Sequence, residues 1–245
     1  MSAVLRIPRR VEQEMLDVLP QTDPRAMRSR LDLRRINRVM ATQSLLCGAI
    51  DKALQGGAPR SLVELGAGDG TLLLRLARRR AARWPGVAVT LVDRQDLVTE
   101  QTRRGFAAIG WSTRVIVAEV LAWIGNEASS PCDLFVANLF LHHFQGPALA
   151  SLLAQIAQRS NAFVACEPRR GAVALVGSHL IGLLGCNAVS RNDAVSSVHA
   201  GFRDRELTSA WPQDRGWRLD EYRGGLFSHC FVAARFAHAH GSRNR

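Results

Sequence analysis

One stretch, residues 61–70, constrains the fold of this chain more than any other. It reads SLVELGAGDG: a short apolar run containing Leu62, Val63 and Leu65, then glycines on alternate positions, Gly66, Gly68 and Gly70. From Leu72 the pattern becomes helical, through Leu73, Leu74 and Leu76. A buried strand, a glycine turn and a helix form the opening unit of an α/β fold with a parallel sheet. Glycines on alternate positions let the backbone turn tightly and let a ligand approach it closely. The spacing differs from the GxGxxG fingerprint, which sets a diphosphate on a helix N-terminus. Here a carboxylate, Glu64, stands two residues before the first glycine, and a negative group suits a cationic ligand better than a diphosphate.

This ExGxGxG stretch resembles motif I of the class I S-adenosylmethionine-dependent methyltransferases, whose cofactor carries a sulfonium and an ammonium. The resemblance implies a Rossmann-like fold: a mostly parallel seven-stranded sheet, N-terminal helices and a C-terminal antiparallel hairpin. It implies S-adenosylmethionine as cofactor, S-adenosylhomocysteine as product, and no metal. The order of later segments agrees. The run 87–92 reads as a second strand closed by Asp93, where this fold uses an acidic residue to accept the ribose hydroxyl protons. Arg94 follows it, beside the expected adenine pocket. The third strand, 113–118, ends at Glu119 and Val120, and an acidic residue there implies a bond to the adenine amino group; aspartate is the commoner type.

The fourth strand, in the first half of the stretch from Pro131 to Phe144, brings Asn138 and Leu139 near its carboxyl end, where ligands bind in open α/β sheets. With Ala67 in the glycine turn, these complete the cofactor residues that the resemblance implies: Glu64, Gly66, Ala67, Gly68, Gly70, Asp93, Arg94, Glu119, Val120, Asn138 and Leu139. The Asn/Asp-Pro-Pro-aromatic tetrad of methyltransferases acting on nucleobase amines or glutamine amides is missing. Instead Phe140, Leu141, His142, His143 and Phe144 follow. Imidazole titrates near neutral pH, so His142 and His143 are the expected general bases for a hydroxyl substrate. Transfer by proximity alone is the alternative.

The N-terminal residues 1–57 read as helices, with Asp23 as an N-cap and Pro24 at the first helical position. Asp32, Leu33, Arg34, Arg35, Ile36 and Asn37 carry enough polar groups to face a ligand, or form a plain surface helix. Residues 58–236 make up the sheet domain, and 237–245 a polar tail whose His238 and His240 belong to the surface. In small-molecule members of the family an acidic-Pro pair such as Glu167-Pro168 lies at the pocket mouth. An almost continuously apolar run, 172–189, lies within an insert spanning 171–205. Its glycines, Ser178 and His179 make a membrane span unattractive. It is either a core helix or a cap that offers a greasy wall to a lipophilic substrate.

Composition enters where partners are concerned. The net charge of +11 invites a nucleic-acid reading, yet Lys52 is the only lysine among 32 basic residues. The arginines are spread along the chain among acids, which favours a solvated surface over a phosphate-binding face. Five scattered cysteines without a CxxC pair, and a charge-broken stretch 1–20 without a signal-peptide pattern, point to a cytoplasmic protein. The expected activity is methylation of a small aromatic or polyketide-like hydroxyl compound. The alternatives are C-methylation of the same class, RNA methylation, or a non-catalytic interaction protein.

Overall fold

The computed structural model describes residues 7–126 and 131–236. The tail with His238 and His240 lies outside the described residues. Seven strands form one sheet: β1 (Ser61–Leu65), β2 (Ala88–Asp93), β3 (Ser112–Val117), β4 (Cys132–Asn138), β5 (Ser160–Pro168), β6 (Trp217–Gly224) and β7 (Ser228–Arg235). Their order is β3-β2-β1-β4-β5-β7-β6, parallel from β3 to β5, with β7 antiparallel to both neighbours. This is the expected architecture, terminal hairpin included. Near-continuous apolar runs form β1, β4 and β5 because both faces of the sheet are covered.

Helices α3 (Thr42–Leu54), α4 (Thr71–Arg80) and α5 (Glu100–Ala107) supply Leu46, Ile50, Leu73, Leu76 and Phe106 to one core. On the other face α6 (Val120–Gly125), α7 (Gly146–Arg159) and α10 (Glu206–Ala210) supply Ile124, Leu152, Leu153, Ile156 and Leu207. The chain runs outward from β1 to β3 and then crosses back to β4. Leu65 lies level with Val92 and Ala137, so β1, β2 and β4 deliver their loops to one edge. The strand order reverses at β1/β4, which opens a crevice beyond their carboxyl ends.

Helices α1 (Met15–Val18), α2 (Pro24–Val39), α8 (Ala172–Leu180) and α9 (Ala188–Ala200) roof that crevice. Asp23 caps α2 as expected, accepting from Arg25 N at 2.7 Å. Two buried carboxylates pin the roof together. Asp32 accepts from Asn187 N at 2.8 Å and from Ser190 Oγ at 3.1 Å, which ties α2 to α9. Asp193 accepts from Met15 N at 2.8 Å and Leu16 N at 2.9 Å, which ties α1 to α9.

The apolar run 172–189 is not one helix. It breaks after Leu180 into a 3₁₀ turn, Ile181–Leu184, and Gly185 then takes φ 73° before Asn187 caps α9 through Ser190 N. The second half of the insert is largely one regular helix, α9. The helix after the glycine turn ends at Arg80.

Candidate functional site

Gly66, Gly68 and Gly70 all take the left-handed conformation that glycine adopts without strain, with φ of 66°, 55° and 68°. Gly66 has a second constraint: a Cβ there would stand 2.3 Å from the Phe140 ring. The loop is held from β2. Asp93 accepts from Gly68 N at 2.8 Å and from Gln95 N at 2.9 Å, and Ala67 N donates to Val92 O at 3.1 Å. Asp69 accepts from Thr71 N at 2.9 Å, and Arg34 of α2 reaches down to it with Nε at 2.9 Å.

Above the loop lies a cavity of about 320 Å³. Its walls bring together Glu64, Gly66, Ala67, Gly68, Asp93, Arg94, Glu119, Val120, Asn138, Leu139, His142 and His143. Gly70 stands behind the wall, where a Cβ would meet Leu91 at 2.8 Å. Arg94 turns toward the roof and pairs with Asp17 at 2.7 Å. Leu139 leaves β4 at φ 50°, a costly conformation for a side chain with a Cβ, and its N–H donates to Cys166 O at 2.9 Å.

Two buried acceptors on this wall have no partner among the described residues: Glu64 Oε2 and Asn138 Oδ1. They sit at the ends of the adjacent strands β1 and β4. An unsatisfied buried acceptor costs roughly 1–3 kcal/mol, so the pair is poised for a donor that enters the cavity. Burial pushes the Glu64 carboxyl well above the usual carboxylate range, and the charges of Asp69 and Asp93 push it further. A diphosphate would meet three carboxyl groups here; a cation with N–H donors would satisfy them.

His142 and His143 follow in the 3₁₀ turn Leu141–His143, and their environments differ. His142 is buried, with Nδ1 2.8 Å from Glu167 Oε2 and Nε2 3.2 Å from Glu14 Oε1. Burial alone would lower its pKa, but the hydrogen bonds and charges of Glu14 and Glu167 override it and push it up to about 9. His142 is therefore an imidazolium with no free lone pair at neutral pH. The expectation of a base at His142 is corrected on that ground. His143 is neutral: burial, then the charge of His142, lower its pKa. Its Nδ1 lies 3.4 Å from Asp17 Oδ2, and its ring lines the cavity.

Glu14, His142 and His143 each place a ligand atom within 4.8 Å of the others, a spacing a metal ion could use. Within it Glu14 Oε1 lies 3.2 Å from His142 Nε2, and the His142 and His143 ring centroids are 4.2 Å apart.

Glu167 overturns another expectation. It lies at the base of the site rather than at a mouth, with no solvent exposure. Its carboxylate accepts from the backbone N–H groups of Phe140, Leu141 and His142, at 3.0, 2.9 and 3.3 Å. Pro168 lines a second cavity, of about 350 Å³, walled by aliphatic side chains of α2, α8 and the following 3₁₀ turn. Glu14, Leu16, Leu33, Leu139 and Ser197 line both cavities, so the two adjoin. The apolar run thus caps a chamber rather than filling the core. Glu14, Asp17 and Ser197 belong to no motif and were not legible as site residues. The polar run on α2 divides: Leu33, Arg34 and Asn37 line the first cavity, while Asp32 is a buried tie.

No protein-family model matches the sequence. A curated relative, the ribosomal protein L11 methyltransferase of Rhodopseudomonas palustris, is 27% identical over 137 residues, covering 51% of this chain and 45% of that protein. The chain thus matches less than half the length of that relative. Among solved structures, the plantazolicin methyltransferase BpumL in complex with SAH superposes with a TM-score of 0.63 at 12% identity, covering 88% of this chain and 92% of that one. An O-methyltransferase family protein from Burkholderia thailandensis superposes with a TM-score of 0.59 at 16% identity, covering 87% of this chain and 60% of that one. At these identities the likeness is one of fold.

Proposed function

We propose that this protein transfers a methyl group from S-adenosylmethionine to a hydroxyl group of a small, lipophilic aromatic or polyketide-like compound. The observation that carries the reading is the pair of unpartnered acceptors, Glu64 Oε2 and Asn138 Oδ1, beside a glycine turn. They fit the ammonium of the cofactor. Asp93 would take the ribose, and Glu119 the adenine amino group. The bound cofactor would supply a methyl group made electrophilic by its sulfonium.

The chain's own residues do the rest. The glycine turn lets the ligand approach the backbone, and the roof of α1, α2 and α9 excludes water. The aliphatic chamber would hold the substrate with its hydroxyl at the junction of the two cavities. His143, neutral and within 4.8 Å of Glu14 at that junction, would accept the hydroxyl proton as the O–C bond forms and the S–C bond breaks. His142, held as a cation by two carboxylates, positions the turn that carries His143.

The curated relative's name would suggest a protein substrate instead. The adjoining chamber, walled mostly by aliphatic side chains, favours a small molecule.

Glu64→Gln keeps an acceptor and removes the charge. Calorimetric titration with S-adenosylmethionine should give a Kd about 10–100-fold weaker than that of the parent protein. Parent affinity should also rise with pH as the elevated Glu64 carboxyl ionises. Equal affinity for the two proteins would remove Glu64 from the cofactor site.

A further inference from the structure

Helix α8 is inside out. Its buried positions are small or polar, Ala174 and Ser178, whereas Val173, Val176 and Leu180 are 53%, 59% and 52% exposed. The 3₁₀ turn after it continues the pattern, with Leu183 85% exposed. A helix that serves only as a wall turns its apolar stripe inward. Here Leu180, Leu183, Leu184 and, across from them on α2, Val39 both line the aliphatic chamber and are exposed. They therefore form its mouth, and the apolar outer face is continuous with the apolar interior.

The mouth is also cationic. Arg28 lies against the end of the 3₁₀ turn, with Nη2 donating to Gly185 O at 3.3 Å, and Arg191 packs beside Gly182. Arg35 and Arg38 are exposed on α2, next to Ile36 and Val39 of the chamber wall. Of the carboxylates packed near these groups, buried Asp32 pairs with both Arg28 and Arg35 at 3.4 Å besides accepting from Asn187 N and Ser190 Oγ, while buried Asp193 accepts from Met15 N and Leu16 N of the roof. Exposed aliphatic side chains ringed by arginine match a surface that offers hydrocarbon beneath anionic phosphate. No helix among the described residues is long and apolar enough to cross a bilayer, so the contact would be interfacial.

We propose that the α8 face, with the following 3₁₀ turn and the outer side of α2, docks on an anionic phospholipid bilayer, and that a substrate bearing an aliphatic chain enters the chamber from it. The second half of this statement rests on the methyltransferase reading; the docking does not.

The test is co-sedimentation of the full chain with phosphatidylcholine vesicles, with and without phosphatidylglycerol, for the parent protein, Val176→Glu and Leu183→Glu. Both positions are exposed, so neither change disturbs packing. The parent should sediment with the anionic vesicles, be released by high salt, and bind neutral ones weakly. Each variant should bind about tenfold more weakly while its circular dichroism and S-adenosylmethionine affinity stay unchanged. No sedimentation of the parent, or equal sedimentation of parent and variants, would overturn the docking surface. So would a parent dimer that Leu183→Glu makes monomeric, since a second copy would then cover the face. Vesicle binding without any affinity for S-adenosylmethionine would keep the docking surface and sink the methyltransferase reading; the reverse result would sink the docking alone.

Discussion

His143→Ala should lower kcat by about 10²–10⁴-fold with a hydroxyl acceptor and leave S-adenosylmethionine affinity unchanged, the range expected when one positioned proton acceptor is lost. The ring lines the cavity and is unprotonated at neutral pH because burial and the His142 charge both disfavour a second cation. The kcat–pH profile of the parent should therefore lose activity only on an acid limb lying below the ordinary histidine value of 6.5. That limb should be absent from the residual activity of the variant. His143→Ala with parental turnover would mean that transfer proceeds by proximity alone, and His143 would keep only a lining role.

Glu167→Ala should be the most destabilising single change in the site, at about 3–5 kcal/mol, the cost of stripping a buried charge of its partner. The carboxylate is the acceptor for three backbone N–H groups and the His142 imidazolium, so its removal leaves four buried donors unsatisfied. Urea unfolding at neutral pH reads the loss as a lower midpoint with an unchanged slope. The pH dependence supplies a second readout. His142 has a folded pKa of about 9, above its ordinary 6.5, so its stabilisation is fully present below pH 6.5 and is lost as pH rises toward 9. The parent should lose stability across that window, and Glu167→Gln, which keeps the volume but not the charge, should flatten the loss. A Glu167→Ala protein as stable as the parent would break the link between β5 and the histidine turn.

The glycine turn, Asp93, Glu119 and Asn138 were legible because each stands at a strand end at its expected place in the chain. The two histidines show where such reading stops. Adjacent in sequence, they carry different charges because Glu14, 128 residues from His142, and Glu167 converge on one ring and leave the other. Pairing of that kind leaves no local pattern. The place of Glu167 is hidden for a related reason: its role is set by the amides of the 3₁₀ turn that meet it, 25 to 27 residues away. The apolar run 172–189 left core and cap open, since both call for the same side chains. Gly185 and the cap at Asn187 decided it by dividing the run and turning its first half outward.

Calorimetric titration of the intact protein with S-adenosylmethionine, repeated on Asp93→Ala, tests the central claim most directly. The expected result is one site per chain with a Kd in the micromolar range, lost in the variant, since the proposed ribose acceptor and the tether of Gly68 N both disappear. Folded protein that takes up no S-adenosylmethionine would contradict the account and leave the glycine turn as a structural element without a ligand.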